Sequence, residues 1–165
     1  MKLTPGIAVS ALGLLAIPAL AQVSATGIAS GQGTLEQGRK FALSARINAD
    51  GTASGQATLI NKNFTGEKPN QPYQLHVTVS CGKKLDDHTA IFGGMTQKTN
   101  DSNLVDAVYF SVQDNGEPGT GKDMISRAYF FDDNPATTGD PKLCLVSTLT
   151  DLPLETIVSG YITVK

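Results

Sequence analysis

The 165-residue sequence has no tryptophan, only two histidines and no cluster of basic residues. Without a His-x-His or His-x-x-x-His spacing, two histidines give little support for a zinc or copper site. Lysine and arginine occur singly or in pairs, not as a stripe that could follow a phosphate backbone, so we expect no nucleic-acid partner. No window of eleven or more residues has helical periodicity, so a helical fold is not expected.

Long hydrophobic runs are also scarce, and the only one lies near the start. Lys2 precedes an apolar run from Ile7 to Leu20, and Ala19-Leu20-Ala21 has the small-x-small pattern of a signal-peptidase site. Because the run is too short for a stable membrane span, we expect residues 1–21 to be a secretory signal peptide cleaved after Ala21. No second such run follows, so we expect a secreted, extracellular protein without a membrane span.

The mature chain, residues 22–165, is long enough to bury a core as one domain. Without Lys2 it has 12 basic and 15 acidic residues, a net charge of about −3. Its two cysteines, Cys81 and Cys144, are expected to form a disulfide in an oxidising compartment. Closing a loop of about 64 residues is worth about 4 kcal/mol in chain entropy. The alternative, a pair of reactive thiols, has no Cys-x-x-Cys spacing to support it.

Alternation of apolar and polar residues predicts β-strands along most of the chain. The clearest prediction is a hairpin whose strands, Arg39–Asn48 and Ser54–Lys62, flank the turn-forming dipeptide Asp50-Gly51. The other predicted strands are Gly31–Leu35 (a short edge strand), Tyr73–Gly82, Thr89–Gln97, Leu104–Gln113, Met124–Phe131, Pro141–Leu149 and Thr156–Val164.

Two details of these strands bear on the fold. Cys81 alternates in phase with Leu75, Val77 and Val79, which predicts that it shares their buried face. The pair Gly93-Gly94 predicts a bulge or a tight bend within its strand. Eight or nine strands at this spacing predict an all-β fold: an antiparallel β-sandwich or a closed β-barrel, with at most one short helical turn.

The segment Gly116–Asp123 nearly matches a phosphate-binding P-loop. The match fails at Asp123, where the motif requires a hydroxyl, and at Glu117, whose carboxylate would enter an anion cradle. A strand rather than a helix is predicted to follow, so a glycine-rich hairpin loop explains the segment better, and no cofactor is expected.

Acidic residues in this loop are weak candidates for a calcium site. Calcium takes six to eight oxygen ligands, and Asp114, Glu117 and Asp123 are the first candidates to supply them. No EF-hand spacing is present, and Asx-Gly runs are ordinary turn chemistry, so turns are the favoured interpretation.

Catalytic residues are not evident. His88 beside Asp87 has the composition of a general base with an orienting carboxylate, but solvated turn residues explain the pair better. Serines are plentiful, yet no Gly-x-Ser-x-Gly elbow marks a nucleophile.

Arg127 is a charged residue in a predicted strand, and it alternates in phase with the hydrophobic and aromatic residues Ile125, Tyr129 and Phe131. It lies either outside among exposed aromatics or inside, paired with a carboxylate such as Asp106. The inward position would indicate a ligand cavity, since a buried charge needs a partner.

Two acceptor patterns for N-glycosylation, at Asn63 and Asn100, fall at or near predicted loops. They are meaningful only in a eukaryotic host.

Four segments resemble a secreted domain associated with bacterial surface proteins of the choice-of-anchor type. They are Ser54–Leu59, Thr89–Gly93, the Asp-Asn-Gly-Glu-Pro-Gly run within Val112–Gly119, and Ser159–Lys165. The resemblance implies an all-β extracellular domain and carries no established activity, so it assigns no functional residue. The chain departs from this family in its Phe64–Pro72 loop, in residues Asp132–Pro141 and at Arg127.

Taken together, these features favour a non-catalytic module with a structural or binding role towards an extracellular protein or glycan. The alternatives are a small-molecule-binding β-barrel and a small secreted hydrolase or isomerase. Avidin-like and lipocalin barrels are disfavoured by the lack of tryptophan, and a copper–zinc dismutase by the scarcity of histidine.

Overall fold

The computed structural model describes residues 25–61, 73–100, 102–116, 123–131 and 136–165. The predicted signal peptide, Asn63 and Glu117 lie outside these residues. Within the described ranges, no helix has the length and apolar character needed to cross a bilayer.

The described chain forms one antiparallel sheet of nine strands in the order β8-β7-β6-β5-β4-β3-β2-β1-β9. The strands are β1 (Ala25–Thr34), β2 (Lys40–Asn48), β3 (Thr52–Asn61), β4 (Tyr73–Lys84), β5 (Thr89–Thr99), β6 (Ala107–Gln113), β7 (Met124–Ser126), β8 (Leu154–Thr156) and β9 (Ser159–Val164). The all-β prediction is confirmed. The sheet curves into a half-barrel, so the prediction of a closed barrel is wrong, and all described strands belong to this one sheet rather than to a sandwich.

The hairpin β2–β3 forms where the sequence predicts it. Phe41, Leu43, Ala45 and Ile47 are buried on one side of β2, while the residues between them are exposed or partly exposed. The turn closes at Gly51, whose φ of 80° favours glycine. We call the side on which these residues lie the inner face.

The inner face carries the main hydrophobic core, to which β1–β7 and β9 contribute. Phe92 and Phe110 stack at its centre with ring centroids 5.6 Å apart. This packing is what the period-two pattern predicts, because alternate side chains of a strand share one face.

A β-bulge in β4 sends Cys81 to the opposite, outer face. Val79 pairs with Gly94 and Cys81 with Gly93, which leaves Ser80 without an opposing residue. The extra residue reverses the alternation, so Val79 packs in the main core and Cys81 in a second cluster. The predicted bulge within the strand of Gly93-Gly94 is not found at these glycines, because the extra residue lies opposite them in β4. The prediction that Cys81 shares a face with Val79 is wrong as well.

Residues 136–152, which we call the cap, cover the outer face of β4, β5 and β6. Pro141–Leu145 is a 3-10 turn in which the Asp140 carboxylate accepts a hydrogen bond from the Lys142 N–H. The predicted strand Pro141–Leu149 is therefore wrong: a capping aspartate followed by a proline that lacks an N–H starts a helical turn. Two further 3-10 turns, at Glu36–Gly38 and Ser102–Leu104, exceed the single helical turn predicted.

The Cys81–Cys144 disulfide attaches the cap to β4, with the two sulfurs 1.98 Å apart. Both cysteines are buried in the second cluster, together with Ile91, Tyr109 and Leu152. A side chain at Gly93 would collide with the Pro141 carbonyl at 2.3 Å, so glycine permits this close approach. The predicted disulfide is confirmed, and it holds the cap in place.

The sheet edges also differ from the prediction. Gly31–Leu35 is not a short edge strand, because the longer β1 lies between β2 and β9. β7 ends at Ser126 instead of Phe131, after which Tyr129 forms an isolated bridge with Tyr109. The edge strands are β8 and β9, which follow one another in sequence but do not pair.

Candidate functional site

The two described calcium candidates use their carboxylates to bond backbone N–H groups. Asp123 accepts from the N–H of Asn115 at 2.9 Å and from that of Ile162 at 2.8 Å. Asp114 accepts from the N–H of Gly116 at 3.0 Å and from that of Val164 at 3.1 Å. Both carboxylates therefore connect β9 to the chain that follows β6.

These contacts occupy the space where the half-barrel lacks strand pairing. The N–H groups of Ile162 and Val164 belong to the edge strand β9, and side-chain oxygens satisfy them in place of a neighbouring strand. Among the described residues, no group of three or more histidine, cysteine or acidic side chains is placed to hold a metal ion. A calcium site that includes Glu117 stays a prediction, because that residue lies outside the described ranges.

Arg127 points to the exterior and is paired with a residue that the sequence did not suggest. Its Nε lies 2.6 Å from an Oε1 of Glu155, and 58% of its side chain is exposed. Asp106 instead accepts hydrogen bonds from the N–H groups of Ala107 and Gly139, both at 2.6 Å. The inward position of Arg127 opposite Asp106 is therefore wrong, and with it the indication of an internal ligand cavity.

Glu155 also pairs with Arg39, which is 8% exposed. Partial burial by itself would raise the pKa of Glu155, but hydrogen bonds from Arg39 and Arg127, and their charges, outweigh it, so the pKa lies below its usual value. The ion pairs of Glu155 with Arg39 and Arg127 connect the start of β2 to β7 and β8, so we assign these three side chains a structural role.

The lowered pKa of Glu155 predicts a pH dependence of stability. A carboxyl group whose pKa is lower in the folded than in the unfolded state stabilises the folded protein. Its contribution is complete at pH values above the unfolded pKa, about 4.3, and is lost as the pH falls through the folded pKa. Glu155→Gln is therefore expected to be less stable than the wild type at pH 7, with the difference shrinking towards pH 3. Urea unfolding of both proteins across this range measures it. A difference that stays constant with pH would contradict the assignment.

The histidines do not form a catalytic arrangement among the described residues. His88 lies exposed in the β4–β5 turn, where its backbone N–H donates to Asp86. His76 lies on the outer face of β4, with its Nδ1 3.4 Å from the Thr58 hydroxyl and its Nε2 3.0 Å from the Gln74 side-chain nitrogen.

A shallow groove of about 360 Å³ crosses the outer face of β9, β1, β2 and β3. The side chains that point into it are hydroxyls, amides and one aromatic ring: Ser30, Gln32, Ser44, Gln56, Thr58 and Tyr161. Among the residues that the structure describes, no charged side chain lines this groove. Ala42, whose small side chain points outward, forms part of its floor, where a larger side chain would reduce the depth.

The local sequence explains why this groove forms. Each contributing strand alternates an inward residue of the core with an outward polar one, as Leu43 and Ser44 do. Tyr161 rises at one end with 41% of its surface exposed. The arrangement offers hydrogen-bond donors and acceptors beside one aromatic face.

Sequence reasoning did not identify any of these groove residues. They come from four strands, three of them consecutive near the start of the chain and one at its end, and no spacing motif connects them. The available signal was the run of neutral polar residues on the outward side of β1, β2 and β3.

Comparison with known protein families, with curated proteins and with solved structures gave no match. The resemblance to choice-of-anchor surface domains therefore stays a prediction, and the proposals below depend on this chain's own residues.

Proposed function

We propose that this protein is a secreted, non-catalytic β module that binds an extracellular glycan in the outer-face groove. The observation that carries the proposal is the groove itself, which combines neutral hydroxyl and amide groups with an exposed tyrosine ring. A sugar presents hydroxyls around its edge and an apolar C–H face. The groove residues match both: Gln32, Gln56 and Ser44 can pair with hydroxyls, and Tyr161 can cover the apolar face.

An extracellular location supports this function. A buried disulfide persists in an oxidising environment and is rare in the cytosol. The predicted signal peptide and the resemblance to a bacterial surface domain point the same way.

The two alternative functions have less support. A small-molecule-binding barrel would need an interior cavity, whereas the inner face of the described strands is filled by the main core. A hydrolase or isomerase would need a general base beside a nucleophile. Among the hydrogen bonds of the described residues, neither histidine ring contacts a serine or a carboxylate side chain, and His88 reaches Asp86 only through its backbone N–H.

We expect Tyr161→Ala to weaken glycan binding by about tenfold or more, because the tyrosine is the aromatic ring of the groove and covers the apolar face of a sugar. Tyr161→Phe keeps the ring and should bind within about threefold of the wild type. The measurement is a glycan-array screen of mature protein, followed by isothermal titration with the best-binding oligosaccharide.

The control for this experiment is Thr78→Ala, an outward residue of β4 that does not line the groove. Its affinity should equal that of the wild type. If Tyr161→Ala, folded by circular dichroism, bound as tightly as the wild type, or if no glycan bound at all, the proposed function would be rejected.

A further inference from the structure

Acidic residues are excluded from most of the sheet. The chain has 15 of them, yet β1, β2, β3, β4, β5 and β9 contain no Asp or Glu. The same strands place Lys40, Arg46 and Lys98 outward, all of them exposed. The charged side chains within these six strands are therefore all positive, although the protein as a whole is negative.

The register of the strands aligns one outward residue from each of six adjacent strands. Tyr161 is opposite Gln32, Gln32 opposite Ala42, and so on across β2, β3, β4 and β5. In order, the row is Tyr161, Gln32, Ala42, Thr58, His76 and Lys98. Five spacings between neighbouring strands give it a length of about 24 Å. This length accommodates several linked sugars rather than one.

A second pocket continues the groove along this row. It has a volume of about 120 Å³ and is lined by Gln74, His76, Lys98, Thr99 and Asn100. The contact between Thr58 of the first groove and His76 of the second pocket joins the two. The pairing between β5 and β6 extends along β5 only as far as Met95. No β6 residue is therefore paired with Lys98, and the row ends there.

Lys98 is placed to meet an anionic group. Its side chain is exposed and takes part in none of the ion pairs found among the described residues. Along β2, Lys40 and Arg46 flank Ala42 and Ser44, one on each side of the groove. The groove is thus neutral along its floor, with cations at one end and on both sides.

We propose that the ligand is an acidic polysaccharide, which lies across the strands with an apolar sugar face on Tyr161 and a carboxylate against Lys98. This inference depends on the proposed function and adds the class and direction of the ligand. Charge complementarity selects the acidic chain, because a neutral glycan offers no negative charge to the three exposed cations.

Matched probes test the inference on the mature protein. The first is a hexameric oligouronate, the second its carboxyl-reduced neutral form, and the third a sulfated oligosaccharide of the same length. We expect the oligouronate to bind about tenfold tighter than its reduced form, and its affinity to fall between about 50 and 300 mM salt, because exposed charges are screened. Equal affinities of the acidic and neutral forms would overturn the inference.

Lys98→Met is expected to lower oligouronate affinity by about fivefold and to leave the affinity for the reduced form unchanged. Lys142→Met, which removes an exposed lysine of the cap, is the matched control and should have no effect on either probe. If the sulfated probe shows the same dependence on Lys98, the site recognises charge; if it binds more weakly, the site prefers carboxylate.

The outcomes distinguish this inference from the proposed function. If Tyr161→Ala abolishes binding while Lys98→Met leaves oligouronate affinity unchanged, the groove binds glycans but does not select acidic ones. If neither substitution affects binding, both proposals fail.

Discussion

Removing the Cys81–Cys144 disulfide is expected to lower the free energy of unfolding by about 4 kcal/mol, because the bond closes a long loop in the unfolded chain. The loop includes β5, β6, β7 and the start of the cap, so its closure restricts much of the unfolded ensemble. The loss would be a large fraction of the stability of a typical domain of this size.

The cap should loosen before the sheet does. Without the disulfide it still has the Lys83 ammonium, which donates to the carbonyls of Leu145 at 2.8 Å and Ser147 at 2.7 Å, and the Tyr109 hydroxyl, which donates to the Asp140 carbonyl at 2.6 Å. These exposed or partly buried contacts are weaker than a covalent bond. We therefore expect faster amide exchange in residues 136–152 than in β2 and β3.

Urea unfolding of the wild type and of the double variant Cys81→Ala, Cys144→Ala measures the effect. Lys83→Met is a matched control that removes polar anchors of the cap and keeps the disulfide, and it should cost about 1–2 kcal/mol. Reduction of the wild type should reproduce the double variant. If reduced and oxidised wild-type protein unfolded at the same urea concentration, the stabilising role of the bond would be disproved.

The inner face of the sheet was predictable from the sequence, because each strand there alternates regularly. Leu75, Val77 and Val79 are buried as expected, and the Asp50-Gly51 turn fixes the hairpin register. Such local patterns reflect burial of one side of a strand, which depends little on distant residues.

The outer layer was not predictable in the same way. One additional residue at Ser80 reverses the direction of Cys81, and no local pattern indicates which of two neighbouring strands will bulge beside Gly93-Gly94. The cap alternates like a strand in sequence, but Asp140 and Pro141 start a turn and the disulfide fixes it on the sheet.

The candidate site depends on strand order, which the sequence leaves open. Tyr161 is close to Gln32 only because β9 pairs with β1, near the other end of the described chain. The partner of Arg127 likewise required the structure, since Glu155 and Arg39 are far from it in sequence.

Asp123→Ala is expected to destabilise the protein by about 3–4 kcal/mol, because it removes two hydrogen bonds accepted by a buried carboxylate and takes away the acceptor of the buried Ile162 N–H. Asp123 is 4% exposed, and its Oδ2 accepts from a main-chain N–H of the edge strand β9. Asp123→Asn should lower the free energy of unfolding by a similar amount, since the side-chain NH₂ of asparagine would face a backbone N–H, and both groups are hydrogen-bond donors.

Asp151→Ala is the matched control, because this exposed aspartate also accepts a backbone hydrogen bond, from Thr148. Asp151→Ala should lower the free energy of unfolding by less than about 1 kcal/mol.

Thermal and urea unfolding with and without calcium complete the experiment. The wild type should have the same melting temperature with and without calcium, because the Asp123 oxygens already accept hydrogen bonds from N–H groups. A calcium-dependent rise that Asp123→Ala removes would show instead that the carboxylate is a metal ligand.

The same substitution connects stability to the proposed binding site. Ile162, whose N–H bonds Asp123, is the neighbour of Tyr161, and the two side chains lie on opposite faces of β9. Loss of the carboxylate leaves β9 attached through its pairing with β1 and through the Asp114 carboxylate at Val164, with no anchor at Ile162, so the position of the adjacent tyrosine ring becomes less defined. Asp123→Ala should therefore weaken glycan binding at temperatures where the variant is still folded, whereas Asp151→Ala should not. Unchanged affinity in folded Asp123→Ala would mean that pairing with β1 is sufficient to position Tyr161.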